Sequence, residues 1–196
     1  MIPTKSELFV QYLIDTLGDY SSIVGIETQD QELGMVLGII YHNYPEHGLT
    51  TGFTYGLSAA SHPEWKTNKP ELSITVASSE DDWVMAVAQL VEWHRTNHPF
   101  TLGSLFHFGK SIATDSLMDS FLVYNLAIDN ATDSNRNPFQ AIPLEEDTIQ
   151  IYGVYPLYTN EVELIKKIGI RKFTGLREYE LFSVHRDDLS QLYQVG

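Results

Sequence analysis

The sequence contains no cysteine. Disulfides, thiol nucleophiles and thiolate metal sites are therefore excluded, and the absence is compatible with a reducing compartment. Cations are scarce: Lys and Arg number 12 against 26 Asp and Glu, a formal net charge of −14. Such a surface repels a phosphate backbone, so no nucleic acid partner is expected; it suits solubility and electrostatic capture of a basic partner. No stretch approaches the roughly 18 uninterrupted apolar residues of a membrane span, so no membrane association is expected. The N-terminus does not read as a signal peptide, because Glu7 and Asp15 interrupt its apolar residues and no cationic start leads into a cleavage site. A cytoplasmic location is expected. Asn130-Ala131-Thr132, formally a glycosylation sequon, then reads as a turn.

Catalytic signatures are also missing. Ser58 in "YGLSAAS" and Ser104 in "LGSLF" lack the Gly-x-Ser-x-Gly context of a nucleophile elbow, and no glycine-rich loop matches a phosphate-binding pattern. His94 and His98 stand four apart, a spacing at which a helix can offer two imidazoles to one metal. No HExxH accompanies them, Pro99 frays the turn, and His94 lies on an apolar stripe, so they read as packing or capping residues. The runs Glu80-Asp81-Asp82 and Glu145-Glu146-Asp147 fit a helix start and a solvated turn better than a cation site. No cofactor and no metal is expected.

What is present is a globular composition, 43% hydrophobic and 19% charged over 196 residues, enough for one domain with its own core. Thr4 and Glu7 have capping-box spacing ahead of Leu8, Tyr12, Leu13 and Leu17, and Gly18 is a stop, which predicts a helix over 5–17. Residues 19–32 read as polar and irregular. Apolar or β-rich runs predict strands at 35–41, 50–58, 71–77, 121–128 and 148–155. Gly52 and Gly56 mark a bulge or a close backbone approach in the second, and the third alternates as a half-exposed strand. Residues 78–82 cap a helix whose stripe is Trp83, Val87, Leu90, Val91 and His94. Polar loops are expected at 59–70 and 129–147, and a short apolar piece within 100–112. Pro156 is expected to end its strand, Asn160 and Glu163 to cap a helix ended by Gly169, and 178–185 to form a last strand. Short connections between the early strands favour antiparallel pairing. The expected fold class is α+β: a single domain with a mixed, mainly antiparallel sheet flanked by helices.

Lys166, Lys167, Arg171, Lys172 and Arg177 are five of the 12 cations, with no acidic residue between 166 and 177. This stretch reads as a helix C-terminus leaning on an acidic neighbour rather than as a docking patch.

Four segments in order resemble the suppressor of fused family: "TYGLS" (54–58), "KPELSITVA" (69–77) leading into the helix from Trp83, "LGSLFHFGKSI" (102–112) followed by "FLVYNLAI", and "IYGVYPLYTNEVELIKKIG" (151–169). The resemblance spans roughly 33–186, and one suppressor-of-fused-like domain is expected over 1–196. It departs from the family where the strand 121–128 runs into Ile128-Asp129 in place of a proline-containing end, and in the basic stretch after Gly169. The resemblance implies binding rather than catalysis, and no catalytic residue is carried over. Animal members of that family hold a transcription-factor peptide by strand addition, and bacterial members are linked to immunity against polymorphic toxins. The function it implies is that of an immunity-type protein binding a basic toxin domain. The alternatives are a peptide-binding scaffold working by strand addition, or an enzyme of unknown type. Candidate partner-binding residues are Tyr55 beside glycines, Trp65 in a polar loop, and Tyr155, Tyr158 and Glu161 around the strand-to-helix corner.

Overall fold

The computed structural model describes residues 3–28, 30–127 and 137–193. Ile128-Asp129 and the sequon Asn130-Ala131-Thr132 lie outside the described residues. Helix α1 spans Lys5–Leu17: the Glu7 N–H donates to the Thr4 hydroxyl at 3.3 Å, and the Thr4 N–H donates to the Glu7 carboxylate at 2.7 Å. The Thr4 N–H and the Thr4 hydroxyl, the latter at 3.0 Å, both donate to the Glu7 carboxylate and hold it below the usual range. Gly18, at φ 89°, stops the helix. Its fully buried residues are Phe9 and Leu13, with Leu8, Tyr12 and Leu17 at the margins.

The strands are β1 Ser22–Ile26, β2 Val36–His42, β3 Thr50–Tyr55, β4 Lys69–Val76, β5 Leu105–His107, β6 Ser120–Tyr124, β7 Ile142–Leu144 and β8 Asp147–Leu157; the remaining helices are α2 Asp82–His94, α3 Thr159–Ile168 and α4 Ile170–Phe173. Among the described residues these eight strands join one sheet in the order β1-β2-β3-β4-β8-β6-β5, with β7 also on β8. Every pairing is antiparallel except β4 with β8. The α+β class with a mixed, mainly antiparallel sheet and flanking helices is therefore the observed one. Strand β8 is the pivot: it pairs with β7 at its start, β4 over Ile149–Val154 and β6 over Gly153–Leu157.

Several local readings change. Residues 22–26 form strand β1, whose Ile23, Val24 and Ile26 supply β-branched character despite the polar flanks. Strand β4 is buried on both faces rather than half-exposed, because it is flanked by β3 and β8 and covered on each side. On its polar face the hydroxyls of Thr75 and Thr51 lie 2.9 Å apart, and the Ala77 N–H donates to the Phe182 carbonyl. Strand β7 lies within the expected 129–147 loop. Pro156 does not end β8; it pairs with Phe121, and the β4 ladder has already finished at Val154, so only one side of β8 is in a strand ladder there. Residues 178–185 form turns rather than a strand. Asp81, the residue before α2, makes no side-chain cap; its carboxylate sits 3.1 Å from the His42 imidazole instead.

Helix α2 lies on β1 to β4 over the largest core cluster, which includes Trp83, Val87, Leu90, Val91, Leu72 and Phe121. Gly52 permits this: a Cβ there would come within 2.4 Å of Val84. The close approach expected at Gly52 is thus a helix packing against a strand. The opposite face of the sheet holds α1 over Ile39, Phe53 and Ile151, and α3 and α4 pack with Leu122, Tyr155 and Leu157.

Candidate functional site

The corner between β8 and α3 is held by a buried ion pair. Glu161 and Arg186 are both buried. The two guanidinium nitrogens of Arg186 donate to the two carboxylate oxygens, one at 2.8 Å, and the Leu189 N–H donates to Glu161 Oε1 at 3.0 Å. The Tyr158 N–H donates to Glu161 Oε2 at 3.1 Å, so Glu161, not Glu163, caps α3, and Glu163 pairs with Lys166. The Tyr158 hydroxyl donates to the Arg186 carbonyl at 2.8 Å, and burial pushes its phenol up. Tyr155 is 6% exposed and donates to the Asn125 carbonyl at 2.6 Å.

The structure therefore gathers Tyr158 and Glu161 into one internal knot. Tyr55 and Trp65 lie elsewhere. Tyr55 ends β3 with its ring 5.3 Å from Phe9, and burial moves its phenol up to about 12. Trp65 folds back on the core, its indole N–H donating to the Pro99 carbonyl at 2.7 Å.

A second knot joins two of the segments that carry the family resemblance. Glu71, in "KPELSITVA", is fully buried and accepts from "TYGLS". Its donors are the Thr54 hydroxyl at 2.7 Å, the Gly56 N–H at 2.8 Å, the Ser58 N–H at 2.9 Å and the Ser58 hydroxyl at 2.6 Å. Burial raises its pKa against those hydrogen bonds. Arg95, 1% exposed, joins the same loop to the segment before β2 through the carbonyls of Gly56 at 3.1 Å and Gly34 at 2.8 Å, and pairs with Glu92 at 2.7 Å.

The histidines expected at 94 and 98 both lean on Phe106, at 5.4 and 4.6 Å between ring centroids. Burial lowers the His98 pKa. Among the described residues no group of three potential metal ligands assembles. A serine, a histidine and an aspartate do meet where β5 adjoins β6. Ser120 Oγ lies 3.1 Å from His107 Nδ1, but Asp119 accepts from Ser120 and Thr159 rather than from the imidazole. The aspartate thus does not orient the base, as a nucleophilic relay requires.

The concave surface lies elsewhere, along the outward side of α2. A cleft of about 850 Å³ is lined by the carboxylates of Glu27, Asp30, Glu32 and Glu92 together with Trp93. Glu27, Asp30 and Glu32 are exposed. The exposed tryptophan is Trp93, at 49%, not Trp65. A signal for it was present: Met85, Gln89 and Trp93 recur every four residues, on the stripe opposite the core face. The basic stretch 166–177 is exposed, and Lys166 is its one cation with an ion pair among the described residues.

This arrangement defines an α+β protein whose buried charges tie loops to the sheet and whose concave face is acidic and partly apolar. The chain belongs to the suppressor of fused protein (SUFU) family, whose model matches residues 35–187. Solved structures share its fold at low identity. A SUFU homolog from Neisseria gonorrhoeae is similar at 12% identity and a TM-score of 0.65, covering 91% of this chain and 92% of that one. A chain of the Sufu–Fu complex is similar at 13% identity and 0.66, covering 99% and 96%. Drosophila Suppressor of Fused is similar at 13% and 0.62, and this chain spans 51% of it. No match is found among curated proteins. Among the described residues no helix is long and apolar enough to cross a membrane.

Proposed function

We propose that this chain is a non-catalytic, cytoplasmic protein-binding domain of the immunity type, which captures and masks a basic protein partner such as a toxin domain. The observation that carries the reading is the acidic cleft beside α2, in which three exposed carboxylates adjoin an exposed tryptophan on a chain of net charge −14. The similar chain of the Sufu–Fu complex, matched over nearly its full length, supports a protein partner. The candidate partner-binding residues Tyr55, Trp65, Tyr155, Tyr158 and Glu161 do not line that cleft.

Affinity capture from native lysate, at low and high salt, tests the reading. A near-stoichiometric basic protein that elutes with salt is expected, and co-expression should relieve its toxicity. Capture that is indifferent to salt, or a captured protein without net positive charge, would remove the electrostatic part.

Peptide binding by strand addition has its own support. Among the described residues β1 and β5 each pair with a single strand, so both offer unpaired backbone groups on their outer sides. Proline substitution along one edge would abolish such binding and leave charge-driven capture intact.

A further inference from the structure

The sheet curls around α2 until residues from its two opposite edges line one groove. Ile26, on β1, and Phe108, just after β5, both reach it, across Met85, Ala86 and Trp93 of the helix. This groove, about 280 Å³, is mainly apolar, with Asp82 and Lys110 also in its lining. Met85 is 39% and Trp93 49% exposed, large apolar side chains left open two turns apart on one stripe of the helix. The Trp93 indole stacks on Phe108 at 5.2 Å, which fixes its orientation. The other two tryptophans spend their indole N–H groups internally, on Asp115 and on the Pro99 carbonyl, whereas that of Trp93 has no partner among the described residues.

Gln89 and Trp93 also line the acidic cleft, so the apolar groove and the acidic cleft adjoin along one face of α2. At the acidic end Glu92 is neutralised by Arg95, while Glu27, Asp30 and Glu32 have no ion-pair partner among the described residues.

We propose that the groove and the cleft act as one channel, the docking surface for a segment of another protein in which a large apolar or aromatic side chain sits beside Lys or Arg. The apolar side chain enters between Met85, Trp93 and Phe108, and the cations face Glu27, Asp30 and Glu32. The inference rests on the protein-binding reading and adds the surface and the chemistry of the segment. Charge complementarity selects a foreign partner over a second copy, because each copy carries a net charge of −14 and repels the other.

The test is a titration of the intact 15N-labelled protein with the capped pentapeptide Arg-Lys-Phe-Lys-Arg and with its Arg-Lys-Ala-Lys-Arg counterpart, followed by NMR. Shifts are expected at the Trp93 indole and at the amides of Ile26, Glu27 and Glu92. The Phe peptide should bind about tenfold more tightly than the Ala peptide, and Trp93→Ala should erase that preference. Glu27→Gln with Glu32→Gln should weaken both peptides and flatten the salt dependence. Met85→Glu serves as a second variant should Trp93→Ala displace Phe108. Equal binding of the two peptides, shifts at another surface, or no shift at millimolar peptide overturns the proposal. Self-association that Trp93→Ala and Met85→Glu abolish gives the groove to a second copy and also overturns it. A natural partner captured undiminished by both variants sinks the groove but leaves the protein-binding reading standing. Peptide binding at the groove without any captured partner does the reverse.

Discussion

Glu71 and Glu161 are both fully buried carboxylates, and they are held by opposite means. Glu161 faces a guanidinium, with two backbone N–H groups completing its shell. Glu71 has no cation partner among the described residues; four neutral donors from the end of β3 and the loop after it converge on it, three of them on a single oxygen. The first arrangement locks a charge against a charge, so neither member can lose its charge alone without stranding the other. The second works with or without a charge. If Glu71 is protonated, its hydroxyl can donate to the Thr54 oxygen, while Oε1 still accepts from Gly56 and Ser58. Both tie a loop to the sheet, one by charge and one by hydrogen-bond count.

The largest expected effect falls on the charged knot. Glu161→Gln leaves Arg186 buried and uncompensated, and urea unfolding should show a loss of about 3–5 kcal/mol. Equal tolerance of Gln at 161 and 71 would break the contrast. Next comes Glu71→Ala, which strands the Gly56 and Ser58 donors and should cost about 3 kcal/mol. Tyr158→Phe removes only the hydroxyl that donates to the Arg186 carbonyl and should cost about 1 kcal/mol by the same measurement.

The smallest effect is expected for Glu71→Gln, below about 1 kcal/mol, because the amide reproduces the protonated acid's pattern. It also carries a pH signature. The folded pKa of Glu71 is raised above its ordinary 4.5, so the folded protein holds the proton more tightly than the unfolded chain. Its contribution is then full below that ordinary value and is lost as pH rises through the folded value. Stability of the parent relative to Glu71→Gln should fall as pH climbs above about 4.5. A difference that is flat with pH, or rises, would show that hydrogen bonding outweighs burial at this site.

Much of the architecture was legible because its causes are local. The Thr4 and Glu7 spacing, Gly18 and Gly169 marked helix ends that the structure keeps. The dense runs at 35–41 and 148–155 became β2 and β8 with small shifts. β1 escaped because its few β-branched residues sit between polar flanks, and its strand character depends on pairing with β2. For the candidate site, the corner at 155–161 was visible as a corner, but not as an interior. Glu161 has capping spacing to Tyr158, yet its burial depends on Arg186, 25 residues on. Trp65 looked exposed because its neighbours are polar, and only the Pro99 carbonyl shows that it folds back.

By itself the sequence determined what depends on near neighbours along the chain: helix stops and caps, the apolar stripe of α2, the absence of thiol chemistry, and the acidic balance. Only the tertiary structure decided which charges go inside and which surface is concave. Glu71, Arg95, Glu161 and Arg186 are charged residue types that local patterning assigns to solvent, and each is buried because partners from distant segments satisfy it. The channel over α2 has the same origin. Ile26 and Phe108 belong to opposite edges of the sheet and meet only because the sheet curls around the helix.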